Sequence, residues 1–193
     1  YRATVRFDPK EAILIFGIMP PPASYFGMQT YVFTREGDFD KDSSQYQNIS
    51  TLFPKMLNSF FARVPHNQKR IQLFSSFSNN NNCYVVKESG SSFDTERFFI
   101  VTPDQSMDTA LRASLNKMGV GDDMIFTEPV PSVAGDFSTV KIGLGESSDE
   151  LLWMMRYAMP YDDGGFGTAS YMWRKDLPLV VLRIRDKTSG TPA

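Results

Sequence analysis

The sequence has few of the side chains that build metal clusters and disulfide frameworks. Its 193 residues include one cysteine, Cys83, and one histidine, His66. A single cysteine cannot form an internal disulfide, so a disulfide-rich scaffold is excluded, although the redox compartment stays open. Zinc or iron sites that take several imidazole or thiolate ligands from one chain are excluded as well.

The chain also lacks an excess of positive charge and a long apolar run. It has 20 basic and 22 acidic residues, for a net charge of −2. Proteins that hold a phosphate backbone carry a positive excess, so we expect no nucleic-acid partner. The longest apolar run, residues 12–19, has the length of a strand and is too short to span a bilayer. We therefore expect no transmembrane segment.

Hydrophobic residues are 41% of the chain and aromatic residues 13%, which is enough for a packed core. We therefore predict a single compact domain over residues 1–193. The two halves suggest a degenerate duplication about residue 90, although no repeat is visible at the level of individual residues.

Residues 97–129 are the clearest indication of a fold class. The apolar run 98–101 predicts a buried strand. Thr102 and Gln105 have the spacing of a capping box at the start of a helix, and residues 124–126 predict a return strand. Such a strand-helix-strand unit crosses over to form a parallel pair.

The rest of the chain predicts several short strands and one further helix. We expect an α+β fold, in which a mostly antiparallel sheet has helices on one face. On the last strand, Arg183 and Arg185 should alternate outward. The predicted strands are residues 12–19, 25–34, 71–77, 83–87, 137–144, 151–159 and 179–184, and the predicted helix is residues 56–64 after a polar loop at 36–47. Residues 151–159 are also compatible with a short helix, because their apolar residues have no clean period.

Carboxylates are the only plentiful groups for acid–base chemistry. Glu128 stands at the carboxyl end of the return strand, an edge where sheets with crossover helices place ligands. Asp104 belongs to the first turn of the helix beside it, where an acid also has a purely structural reason to occur. Together with Tyr25, they form the candidate catalytic set of a cofactor-free hydrolase, lyase or isomerase.

An acidic loop has the spacing of the first half of a calcium-binding loop. Its second half does not match, because Ser43 replaces the turn glycine and Ile49 replaces the closing glutamate. A solvated acidic turn is the alternative to a calcium-stabilised extracellular module. We expect no cofactor. Calcium is the one alternative that the sequence suggests, and its candidate ligands are Asp38, Asp40, Asp42 and Ser44.

Aromatic and methionine side chains are dense between residues 153 and 173. Such soft side chains line apolar ligand pockets and also fill cores. The candidate ligand-binding residues are Trp153, Met155, Tyr157 and Trp173. Because the motifs of metal, phosphate and nucleophile chemistry are incomplete, our leading hypothesis is a non-catalytic binding or assembly domain. Its partner would be an apolar small molecule or another protein.

Two weak features bear on localisation. The chain opens at Tyr1 without an initiator methionine, and Asn48 begins a glycosylation sequon. They favour a secreted or extracellular protein.

Overall fold

A computed structural model describes residues 4–38, 40–52, 63–64, 67–76, 84–86, 93–130 and 140–186. These residues form two β-sheets and three α-helices, which confirms the α+β class. None of the described helices is long and apolar enough to cross a membrane. The strands are β1 (Glu11–Ile18), β2 (Ala23–Glu36), β3 (Arg63–Val64), β4 (Asn67–Ser76), β5 (Tyr84–Val86), β6 (Glu96–Thr102), β7 (Ile125–Pro129), β8 (Glu150–Pro160) and β9 (Leu179–Arg185), and the helices are α1 (Ser44–Leu52), α2 (Gln105–Lys117) and α3 (Ala169–Asp176).

The first sheet has the strand order β7-β6-β1-β9. Strand β1 pairs antiparallel with both β6 and β9, while β6 and β7 are parallel and are connected through α2. This arrangement confirms the strand-helix-strand unit that residues 97–129 predict. It also places the carboxyl end of β7 next to that of β6.

The second sheet is built around the long strand β2. Strand β8 pairs with one edge of β2 from Ala23 to Thr34. On the other edge, β5 pairs with residues 26–28 and β4 pairs with residues 31–36, with a bulge near Val32. Strand β3 extends this sheet beyond β4.

The two faces of the first sheet bury different partners, because side chains alternate along a strand. Leu14 and Ile100 lie on the face covered by α2, together with Leu115 of that helix. Ile13 and Phe99 lie on the opposite face and pack against the second sheet. Helix α2, the four-stranded sheet and the five-stranded sheet therefore form three successive layers of the described residues.

The start of α2 differs from the sequence prediction. Its N-cap is Asp104, whose side chain accepts a hydrogen bond from the backbone N–H of Ser106 at 2.8 Å. Thr102 is still extended, since it pairs with Pro129 in the β6–β7 ladder. The predicted capping box of Thr102 and Gln105 is therefore wrong. Thr102 would have to be the N-cap of the helix, but it is still the last residue of β6.

Other boundaries are confirmed in part. The six predicted strands other than 137–144 overlap with β1, β2, β4, β5, β8 and β9, with bounds that differ at most ends. The predicted strand 137–144 is wrong over residues 140–144, which form a loop, and its remainder lies outside the described residues. Most of the predicted helix 56–64 also lies outside the described residues, and Arg63 and Val64 of that segment are in a strand. Cys83 and His66 lie outside the described residues as well. Helix α1 begins inside the predicted polar loop.

Candidate functional site

A buried carboxylate joins the beginning of β1 to the end of β9. Glu11 has no exposed surface, and its carboxylate accepts hydrogen bonds from Arg183 and Arg185. The antiparallel register places Arg185 directly opposite Glu11, which explains the contact. The prediction that both arginines face outward is confirmed for Arg183, which is exposed, and only in part for Arg185, which is half-buried. Both lie on the strand face that bears Glu11.

Two opposing effects set the pKa of Glu11. Burial raises it, while hydrogen bonds from Arg183, from the backbone N–H of Asp8 and from Arg185 lower it. The hydrogen bonds prevail, so the pKa of Glu11 lies below its usual value. Glu11 is therefore a carboxylate at neutral pH, and it compensates part of the charge of the two guanidinium groups.

A second network of hydrogen-bonded polar side chains lies in the five-stranded sheet. Glu150 at the start of β8 accepts a hydrogen bond from Arg6 at 3.1 Å and another from the Thr34 hydroxyl at 2.7 Å. The same hydroxyl accepts from Arg70, a fully buried arginine of β4, at 3.0 Å. This hydrogen-bond network extends to Arg183, which donates to the backbone oxygen of Arg6 at 2.7 Å.

These groups border a cavity of about 370 Å³, which we call the arginine pocket. Thr4, Arg6, Glu150, Arg183 and Arg185 line it, with Val5 and Leu144 as its apolar wall. Three guanidinium groups and one carboxylate face the cavity, and Glu11 lies behind two of the guanidinium groups. The volume falls within the usual range for small-molecule sites, which is roughly 300–1,000 Å³.

Glu128 is buried between the two sheets. Its side chain crosses to β2, where it accepts from the Thr30 backbone N–H at 3.0 Å and from the Thr30 hydroxyl at 2.5 Å. Burial raises the pKa of Glu128, and the two hydrogen bonds from Thr30 oppose that shift only in part. A carboxyl with a raised pKa is typical of acid–base sites, but it is also found in structural ties of this kind.

The other two candidate catalytic residues lie elsewhere. The Asp104 carboxylate caps α2, and hydrogen bonds from the Ser106 hydroxyl and N–H lower its pKa against the opposing effect of burial. The Tyr25 ring lies over Gly27, and its side chain alternates along β2 with the buried Phe26 and Met28. Within the described part of the chain, no hydrogen bond or ion pair links Tyr25, Asp104 and Glu128 to one another.

Three of the four candidate ligand-binding residues pack against the core. Trp153 meets the ring of Phe7 at 5.8 Å, and Tyr157 meets Trp173 at 5.6 Å. Trp173 also donates to the backbone oxygen of Ile18 at 2.8 Å. Met155 is 37% exposed. The set thus divides between interior packing and surface.

The acidic loop contains a turn stabilised by its own side chains. Asp40 accepts from the backbone N–H of Asp42 at 3.0 Å, and Ser44 begins α1. Among the described residues, no group of three or more histidine, cysteine, aspartate or glutamate side chains is arranged to hold a metal ion. Asp38, Asp40 and Asp42 are exposed.

Strand β9 forms an apolar edge of the first sheet. Val180, Val181 and Leu182 are 46%, 61% and 44% exposed, and we call them the β9 edge. No strand of the described residues pairs with this side of β9, since β1 occupies the other side. An exposed apolar sheet edge of this kind is a template for pairing with another chain.

Sequence reasoning missed the arginine pocket because its residues come from both ends of the chain. Arg6 and Arg183 are 177 residues apart, so no local spacing brings them together. The spacing of Arg183 and Arg185 was the available indication of the pocket, because residues two apart on a strand place two cations on one face. The sequence did not indicate that Glu11 lies opposite them.

Comparison with protein-family models, with curated proteins and with solved structures found no significant match for this chain.

Proposed function

We propose that this chain is a non-catalytic assembly domain whose partner is a second copy of itself, paired through the β9 edge. The observation that carries the proposal is the exposure of Val180, Val181 and Leu182 on a strand whose outer side pairs with no other described strand. Natural sheets protect their edges with charges, prolines or bulges. The run from Leu179 to Leu182 contains none of these, which favours an edge that is covered in the functional state.

The sequence of β9 suits pairing with itself. In an antiparallel pair centred on Val181, Val180 lies opposite Leu182 of the second copy and Leu179 lies opposite Arg183. Apolar and β-branched cross-strand pairs stabilise a sheet, and no arginine faces another arginine in this register. The twofold symmetry is that of most homodimers. Glu11 offsets the charge of Arg183 and Arg185, which lowers the repulsion between the copies.

The test is the oligomeric state of the full chain, measured by sedimentation equilibrium. We expect a dimer for the natural sequence. Val181→Lys places a charge at the centre of the pair and should weaken dimerisation about tenfold or more, which corresponds to about 1.4 kcal/mol. Met118→Lys is the matched control, because Met118 is an exposed apolar residue at the end of α2.

Two results would contradict the proposal. The first is a natural chain that stays monomeric at high concentration, which would leave the β9 edge to a different partner. The second is a dimer that Val181→Lys and Met118→Lys affect equally, which would place the interface elsewhere.

A second candidate function is the carboxylate-dependent catalysis that Glu128 suggests. The raised pKa of Glu128 is the observation that favours it. Such a role requires that Glu128 exchange its Thr30 contacts for a substrate. In a carbodiimide labelling experiment at mildly acidic pH, a reachable Glu128 would be modified in the folded protein, and a carboxyl that is labelled only after unfolding would contradict this function.

A further inference from the structure

We infer that an amphipathic helix of a partner protein docks beside α2, on the part of the first sheet that α2 does not cover. The inference goes beyond the pairing of β9 and does not depend on it, because pairing joins backbone groups at the edge of β9, whereas this site is a face of the sheet. It rests on the apolar character of that face, on the width beside α2 and on the side chains that α2 directs toward it.

The site is an apolar surface on β1 and β9. Leu182 lies directly opposite Leu14, so the two side chains share one face of the sheet. Leu14 belongs to the core cluster beneath α2, which makes this the α2 side. Val180 and Leu182 are nevertheless exposed, and so is Ile18 at the end of β1. The residues that share this surface, which we call the β1–β9 face, are Phe16, Ile18, Val180 and Leu182.

The sequence of both strands is that of a covered face. On the α2 side, every second residue from Ala12 to Ile18 and from Val180 to Ile184 is apolar. A sheet face that meets water carries polar side chains instead. Among the described residues, α2 packs against β6, β1 and β7, and β9 stays exposed beside it. Because a sheet buries an apolar face against another element, a further element should cover β9.

The space beside α2 has the width of one helix. Helix α2 lies over β6, and β9 is two strands away, which is roughly 10 Å at the usual spacing of strands. Helices packed side by side have axes about 8–10 Å apart. A second helix at that distance from α2 therefore lies over Val180 and Leu182. If two chains pair through β9, their α2 helices are roughly 24 Å apart, which leaves room for one added helix on each chain.

The side of α2 that faces β9 carries small side chains. Asp108 and Arg112 mark the opposite side, since both contact Thr127 of β7. The helical period therefore places Ala110 and Ser114 on the side toward β9, and both are exposed. The Ser114 hydroxyl donates to the backbone oxygen of Ala110 at 2.8 Å, so it stays paired when an apolar helix covers it.

These features select the occupant. An amphipathic helix covers such a face with its apolar side and keeps its polar side in water. Strand β9 has seven residues, a length that about 15 helical residues match. A second copy of the chain fits less well, because α1 and α3 have only nine and eight residues and the outward side of α2 carries the polar Thr109 and Asn116. The partner is therefore a helix of a different protein.

The probe is a synthetic peptide of about 15 residues that has leucine on one helical face and glutamate and lysine on the other. NMR of the valine and leucine methyl groups follows its titration into the full chain, and calorimetry gives the affinity. A peptide of the same composition, reordered so that the leucines surround the helix, is the control. Sodium decanoate tests an acyl chain as the alternative ligand.

We expect the amphipathic peptide to shift the methyl signals of Val180 and Leu182 in a saturable way and to gain helical circular dichroism on binding. The reordered peptide should leave these signals unchanged. Decanoate should bind more weakly than the amphipathic peptide, because it lacks a side that contacts α2.

The variant Ala110→Arg fills the space beside α2 and should weaken peptide binding about tenfold or more, the equivalent of about 1.4 kcal/mol. Ala113→Arg is the matched control, because Ala113 is an exposed alanine on the outward side of the same helix. Its affinity for the peptide should equal that of the natural chain. Sedimentation equilibrium reports the pairing of β9 separately, and both variants should leave that pairing unchanged.

Four results would overturn the inference. Equal responses of Val180 and Leu182 to the two peptides would show that the face does not recognise an amphipathic helix. Tighter binding of decanoate would assign the face to an acyl chain. Equal affinities of Ala110→Arg and Ala113→Arg would place the peptide elsewhere. An association beyond the dimer that Ala110→Arg abolishes would assign the face to a second copy of the chain.

Discussion

Thr30 and Glu128 are separated by 98 residues, yet two hydrogen bonds join them, from the Thr30 N–H to Oε1 at 3.0 Å and from the Thr30 hydroxyl to Oε2 at 2.5 Å. Thr30 lies on β2 between the residues that pair with β5 and those that pair with β4. A side chain from the first sheet therefore satisfies a backbone donor of the second. Glu128 ties the two sheets together.

Glu128→Gln should change how stability depends on pH. The folded chain holds the Glu128 proton more tightly than the unfolded chain, whose pKa is near 4.5. This carboxyl therefore stabilises the fold fully below that pKa, and its contribution is lost as the pH rises through the folded pKa. Because glutamine stays neutral, the free energy of unfolding of the variant relative to the natural chain should increase across that interval, by about 1.4 kcal/mol for each unit of pKa shift.

The measurement is urea unfolding of both chains between about pH 4 and pH 8. Glu96→Gln is the control, because Glu96 is an exposed glutamate of β6. If the difference in the free energy of unfolding between Glu128→Gln and the natural chain stays constant with pH, then Glu128 has the same pKa in the folded and unfolded states.

Thr30→Val should destabilise the fold by about 1–3 kcal/mol, because it removes the hydroxyl donor and leaves a buried carboxyl oxygen without it. Thr109→Val is the control: the Thr109 hydroxyl is exposed and bonds only to the backbone of its own helix. Urea unfolding of the single and double variants of Thr30 and Glu128 gives their coupling energy. If the effects of Thr30→Val and Glu128→Gln simply add, the tie contributes no energy of its own.

Glu11→Gln should cost about 3 kcal/mol near neutral pH, since it leaves two guanidinium groups without their buried carboxylate. The pKa of Glu11 is lowered in the folded chain, so its contribution is complete above the unfolded value of 4.5 and is lost as the pH falls through the folded pKa. The stability gap to the natural chain should therefore narrow on acidification, the reverse of the Glu128 case. A gap that widens in acid would refute the assignment.

Arg70→Met should destabilise the fold by about 3–5 kcal/mol, the usual loss when one partner of a buried polar network is removed. The Arg70 guanidinium donates to the hydroxyl and backbone oxygen of Thr34 and to the backbone oxygens of Glu146 and Ser148. Lys41→Met changes an exposed lysine of the acidic loop and should remain within about 0.5 kcal/mol of the natural chain. Equal denaturation midpoints for the two variants would mean that the Arg70 network is energetically neutral.

Local sequence patterns predicted those parts of the fold that depend on residues close together in the sequence. The unit from β6 to β7 was predictable because an apolar run, a helical period and a second apolar run follow one another within residues 97–129. The start of α2 was not, because the choice between Thr102 and Asp104 as N-cap depends on how far the ladder with β7 extends. The pairing of β6 with β7 decides where the strand ends, and the identities of Thr102 and Asp104 do not predict that pairing.

The site depends almost entirely on distant contacts. Glu128 was chosen from its place at a strand end, but its burial and its partner Thr30 follow from the packing of two sheets. Glu11 and Arg6 carry no local signal at all, since their partners on β9 lie more than 170 residues away. Such pairs become visible only when the sheet order is known.

The placement of β9 beside β1 has a consequence for biosynthesis. Because β1 is made early and β9 late, the ribosome must deliver nearly the whole described chain before the first sheet can acquire its outer strand. At about 5–20 residues per second, β1 waits roughly ten seconds or more with Glu11 lacking its cationic partners. During that delay β6 can cover one edge of β1, while the edge that β9 later occupies stays unpaired.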